Sequence, residues 1–128
     1  MTLELTMLLW STLLTFLLIL IPAGVALNRN GPHAQGGPRD DLPEPTVFQK
    51  RASRLSANMQ ENMVLFAALV LTAHVAGISN AYTMLGAQIF FYARVAHAII
   101  YIMGWPMVRP LFWFAGVVGM GMIAAALF

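Results

Sequence analysis

Two short runs carry the side chains that could do chemistry. In RASRLSANMQENMVLF, Arg51, Arg54, Asn58 and Glu61 fall at i, i+3, i+7 and i+10, and in ARVAHAIIY, Arg94, His97 and Tyr101 fall at i, i+3 and i+7. On a helix of 3.6 residues per turn each set forms one stripe. Arg109 follows the second run after the breaker Gly104-Trp105-Pro106. Guanidinium groups bind carboxylates through two parallel hydrogen bonds and keep their charge at any relevant pH, so several of them beside a single carboxylate suit an anionic ligand. Glu61 needs a partner, because an ionised carboxylate at a hydrocarbon boundary is costly unless paired, and Arg94 is the natural candidate across the helix pair. Plainer roles stay open for each residue: a structural ion pair at Glu61, a packing histidine at His97, an interfacial aromatic at Tyr101 and an ordinary membrane-flanking cation at Arg109. A metal site is not expected, since His33, His74 and His97 are scattered and one intramembrane carboxylate, Glu61, cannot complete a ligand set.

The elements that must hold these stripes are membrane helices. The chain has 128 residues, 59% of them hydrophobic and 9% charged, against about 25% charged in an average soluble domain. It reads as a single membrane domain over residues 1–128, without cysteine and without the basic-aromatic interleaving of a nucleic-acid binder. An uncharged first span covers residues 5–27. It is expected to stay in the protein, because Glu4 stands where a signal peptide would carry a basic cluster. Residues 28–46, with repeated glycine and proline, form a polar loop expected to resist helix and strand alike. Thr46 is placed to cap a new helix. The second span, residues 54–78, must include the polar turns from Arg54 to Gln60, because the uncharged part alone is shorter than a bilayer. The third span covers 81–103 and the fourth 111–128, the last rich in the small residues that allow close helix packing. The fold class is therefore all-α, an antiparallel four-helix transmembrane bundle.

Five of the seven Lys and Arg lie between Arg29 and Arg54, and Arg109 lies in the other loop on the same side. The positive-inside rule puts these loops in the cytoplasm and both termini outside. The compact chain suits a bacterial inner membrane. Within the first polar stripe, Arg51 is the member expected to be simply solvated.

The combined pattern resembles the MAPEG family, the membrane-associated proteins in eicosanoid and glutathione metabolism, which include microsomal glutathione transferases. The resemblance rests on Arg54-Leu-Ser-Ala-Asn58-Met-Gln-Glu61, on Arg94-Val-Ala-His97-Ala-Ile-Ile-Tyr101 and on Arg109 after the next turn, and it extends over all four spans. It implies a homotrimer that binds glutathione between neighbouring subunits near the cytoplasmic face and receives a lipophilic small-molecule substrate from the bilayer. By that resemblance Arg54, Asn58, Glu61, Arg94 and Tyr101, with His97 on the same stripe, hold the tripeptide. Glu61 takes its amino group, the arginines take its carboxylates, and Arg109 is the catalytic residue that stabilises the thiolate. The expected activity is transfer of glutathione to an electrophile or reduction of a lipid hydroperoxide. Ala57 stands where some members carry a basic residue and Pro110 where some carry serine; these two positions motivate the alternative of a non-catalytic membrane subunit or assembly factor.

Overall fold

A computed structural model describes residues 1–128, which are helical wherever they are regular. The elements are α1 (Leu3–Asn30), α2 (Pro32–Gly36), α3 (Val47–Val75), α4 (Ala81–Met103) and α5 (Arg109–Leu127). Side-chain caps fix several of these boundaries. Thr46 and Gln49 form a reciprocal box at the start of α3, the Gln49 amide donating to Thr46 Oγ1 at 3.2 Å and the Thr46 amide to Gln49 Oε1 at 2.9 Å. Asn80 starts α4: its Oδ1 accepts from the amides of Tyr82 and Thr83. Gly104 ends α4 in the left-handed region with φ +79, which glycine adopts without a Cβ penalty.

The 28–46 segment departs from the expectation of an irregular loop. α1 runs on to Asn30, and Pro32 opens the short α2. Proline is tolerated at a first helical position because the N–H it lacks has no intrahelical acceptor there, so a proline-rich composition does not exclude a helical turn. Arg29 Nη1 donates to the Glu44 carbonyl at 2.6 Å and to Gln49 Oε1 at 3.0 Å, pinning the end of the segment to the start of α3. Glu44 pairs with Lys50 at 2.8 Å. Hydrogen bonding to that ammonium holds the exposed Glu44 carboxyl below the ordinary carboxylate range.

Three helices, α1, α4 and α5, are long and apolar enough to cross a membrane. α3 is not among them, because its first half carries Lys50, Arg51, Arg54 and Glu61. Its uncharged remainder, Met63–Val75, spans only about 20 Å, less than a hydrocarbon core.

Packing follows the apolar stripes. Met59, Phe66, Val70 and Ala73 of α3 are fully buried against Ala87 and Phe90 of α4, and the Phe66 and Phe90 rings stack with centroids 3.9 Å apart. α4 and α5 approach backbone to backbone. A Cβ on Gly86 would lie 2.5 Å from the Gly119 carbonyl oxygen, and one on Gly119 would lie 2.6 Å from that of Gly86. Only glycine fits at this crossing, which is the close packing expected of the small residues in the last helix. The buried stripe of α4 continues from Ala87 and Phe90 through Arg94 and His97. That register carries two polar side chains into the protein interior, beside the first half of α3.

Candidate functional site

The start of α3, the end of α4 and the start of α5 enclose a cleft of about 750 Å³. α3 contributes Arg54, Asn58 and Glu61, α4 contributes His97 and Tyr101, and α5 contributes Arg109. Six of the seven residues expected to form the site therefore meet on one surface. Arg94, the seventh, stands behind it. Its side chain is 1% exposed. Nη2 donates to Asn58 Oδ1 at 2.7 Å and Nε lies 3.3 Å from Met59 Sδ. The guanidinium thus fixes the orientation of Asn58, whose amide faces the cleft.

Tyr101 gathers the other cations. Arg54 Nε donates to Tyr101 Oη at 3.2 Å, which leaves the phenolic proton free to point elsewhere. The Arg109 guanidinium carbon sits 5.0 Å from the centroid of the same ring, within cation–π range. The His97 ring lies beside it, its centroid 5.6 Å from that of Tyr101.

Glu61 corrects the expectation of an ion pair with Arg94. Arg94 meets α3 at Asn58 and Met59, a turn before Glu61, and the one ion pair in the chain is Lys50–Glu44. Glu61 is exposed on the cleft wall with its charge uncompensated. Arg51 corrects a second expectation. It is only half-exposed, with Nη1 directed at the Ile102 carbonyl at 3.5 Å and close to Gly104, where a Cβ would lie 3.3 Å from Nη1. A cation there sits at the negative end of the α4 dipole.

Three lining residues were not singled out as ligands from the sequence: Ala57, Pro110 and Trp113. Trp113 could have been found, since it lies at i+4 from Arg109 and so shares its face of α5. It gives the cleft an apolar lip, and Pro110 gives a stretch of wall without a backbone donor.

The donor set has a definite chemical bias. Arg54 and Arg109 present fixed positive charge, Glu61 presents one negative charge, and Asn58 and Tyr101 present neutral hydrogen-bonding groups. Arg94 Nη1 and His97 Nδ1 are buried without a partner in the chain, a costly state for polar atoms in a protein interior. Such a surface is complementary to a small zwitterion with more negative than positive groups. Glutathione, with two carboxylates, one ammonium and a thiol, meets that description, so the residues present fit it. The MAPEG family model matches residues 7–128. No curated protein and no solved structure matches the chain.

Proposed function

The chain belongs to the MAPEG family and is a multi-pass membrane protein; from that premise we propose that it is a glutathione-dependent membrane enzyme, transferring glutathione to lipophilic electrophiles or using it to reduce lipid hydroperoxides. The observation that carries this reading is the unpaired charge of the cleft. Arg54, Arg109 and Glu61 face one cavity of about 750 Å³ without an ion pair to any of them, and Asn58 is held in place by a buried guanidinium. Residues that served only to tie elements together would be bonded to groups within the chain, as Glu44 is to Lys50.

Each residue has a task in this reading. Glu61 accepts the ammonium of glutathione, Arg54 takes a carboxylate, and Asn58 and Tyr101 hydrogen-bond the peptide. His97 backs Tyr101 from the buried side, and Arg94 acts through Asn58 as a positioning residue. Arg109 lies beside the sulfur. A free thiol has a pKa of about 8.5 and is mostly protonated at neutral pH; a neighbouring guanidinium favours the thiolate, which is the nucleophile. In transfer, the thiolate forms a carbon–sulfur bond with the electrophile as the bond to the leaving group breaks. Trp113 and Pro110 offer that electrophile an apolar approach from the bilayer.

The assembly that suits this chemistry is a homotrimer of four-span subunits, in which α3 also crosses the membrane with its polar face turned to the cleft and a neighbouring subunit closes the open side. The basic loops face the cytoplasm and both termini face away from it, in keeping with the distribution of Lys and Arg. A bacterial inner membrane suits so compact a chain. One feature favours a second reading, a non-catalytic subunit of a larger complex: Pro110 beside Arg109 removes a backbone donor from the cleft wall.

Purified protein in detergent separates the two. Glutathione bound to the wild type is expected to show the ultraviolet absorbance of a thiolate, and Arg109→Ala to abolish that absorbance while leaving the protein folded. Absence of binding at millimolar glutathione would overturn the enzymatic reading in favour of the second.

A further inference from the structure

A smaller recess of about 180 Å³ adjoins the cleft at the α4–α5 turn. Arg54, Tyr101 and Arg109 form the ridge between the two and line both, whereas Arg51 and Trp105 line the recess alone. No carboxylate lines it, and none of its three arginines is in an ion pair. Like charges gathered in one recess repel unless an anion lies among them. Arg51 is moreover held there: its guanidinium lies against the Gly104 backbone and is directed at the Ile102 carbonyl, so its side chain is already partly ordered for a ligand.

The surroundings say which kind of anion. The turn that borders the recess and the helix ends beside it expose large apolar side chains, Met103 at 54%, Trp105 at 52%, Met107 at 85% and Leu111 at 67%. Such a cluster belongs at the level of lipid, and an exposed tryptophan beside arginines is the composition of a membrane–water interface. A site for a freely soluble anion has no need of that apolar collar. We infer that the recess walled by Arg51, Arg54, Arg109 and Trp105 is a second anion site, which takes the phosphate headgroup of an anionic bilayer lipid while the acyl chains lie along the exposed face of the turn. Arg54 and Arg109 face both cavities, so the bound lipid and the occupant of the cleft share two cations. The inference rests on the membrane location and the recess itself and stands whether or not the cleft holds glutathione.

Titration of the full-length protein in a zwitterionic detergent tests this, with tryptophan emission as the readout and three probes: dihexanoyl phosphatidylglycerol, dihexanoyl phosphatidylcholine and inorganic phosphate. The wild type is expected to give a saturable change with phosphatidylglycerol, to bind phosphatidylcholine and inorganic phosphate at least about tenfold more weakly, and to lose affinity as salt is raised. Trp105→Phe should remove most of the signal, and Arg51→Gln should weaken phosphatidylglycerol binding about tenfold. Equal binding of the two lipids would overturn the anion site. Inorganic phosphate binding as tightly as phosphatidylglycerol would overturn the lipid as its source, and an unchanged affinity in Arg51→Gln would overturn its location. Should Arg51→Gln fail to fold, the comparison of the three probes on the wild type still decides between these outcomes.

Discussion

The two ends of this helical protein use their charged side chains in different ways. At the end away from the cleft, Glu4 of α1 is 4% exposed, yet Oε1 accepts hydrogen bonds from both Ser79, at 2.8 Å, and Thr83. These bonds tie the start of α1 to the turn between α3 and α4. At the cleft end, Arg54, Glu61 and Arg109 line a cleft of about 750 Å³ with no ion pair, and Arg94 is buried with only one of its terminal nitrogens bonded. An isolated polar residue in an apolar chain is therefore not by itself a sign of function. What distinguishes the two ends is what the polar groups are turned towards. Glu4, although Oε2 has no partner, engages Oε1 with two hydroxyls of another part of the chain and so holds helices together; Arg54, Glu61 and Arg109 have no ion pair and line an open cleft.

That contrast can be broken experimentally, most forcefully at Arg109. With an activated aryl halide as electrophile, Arg109→Ala should lower glutathione turnover by about a hundredfold or more, the scale of removing one preorganised group that stabilises charge in a transition state. Its thermal midpoint should stay close to that of the wild type, because the residue is exposed.

Arg94→Met sharpens the comparison further. Arg94 is a buried cation without an ion pair, so an apolar side chain of similar length relieves a desolvation cost, whereas loss of a charged hydrogen bond to Asn58 is worth about 1.5–3 kcal/mol to whatever Asn58 binds. The variant should therefore melt no lower than the wild type and bind glutathione about tenfold more weakly in a calorimetric titration. A lower melting point with unchanged affinity would make Arg94 structural, like Glu4.

Glu4→Ala provides the mirror image. Removal of the carboxylate leaves two hydroxyls without their shared acceptor, and the expected cost is about 2 kcal/mol of stability, seen as a lower thermal midpoint, with glutathione affinity unaltered. The smallest effect is expected at Thr46→Ala. Loss of the α3 cap should cost about 1 kcal/mol, read by thermal unfolding, and should loosen the helix start that carries Arg51 and Arg54.

Much of this arrangement is legible in the sequence where it depends on local rules. The cap at Thr46, the helix over Ala81–Met103 and the glycine stop at Gly104 follow from residue types within a turn or two of each other. The two polar stripes also read correctly as faces of a helix. Facts that depend on how helices rotate against one another do not follow. Spacing along α4 places Arg94 on the inward face but cannot say whether it meets α3 at Asn58 or a turn later at Glu61. Glu4 and Thr83 are separated by 79 positions, and nothing local to either predicts their contact. Arg51 looked solvated because its partner is a carbonyl at the end of another helix, a group that no side-chain pattern reveals. α2 is hidden in the composition, because what matters for Pro32 is its position at the first turn of the helix and not the number of prolines around it.

The central claim is that the unpaired charges of the cleft are the complement of glutathione, with Glu61 meeting its ammonium group. Calorimetric titration with glutathione and with glutaryl-cysteinyl-glycine, which keeps both carboxylates and the thiol but lacks the amine, tests it on the wild type and on Glu61→Gln. The wild type should bind glutathione at least about tenfold more tightly than the analogue, the scale of one charge-assisted hydrogen bond, and Glu61→Gln should bind the two alike. A wild type that fails to tell the two peptides apart, or that binds neither, would contradict the account.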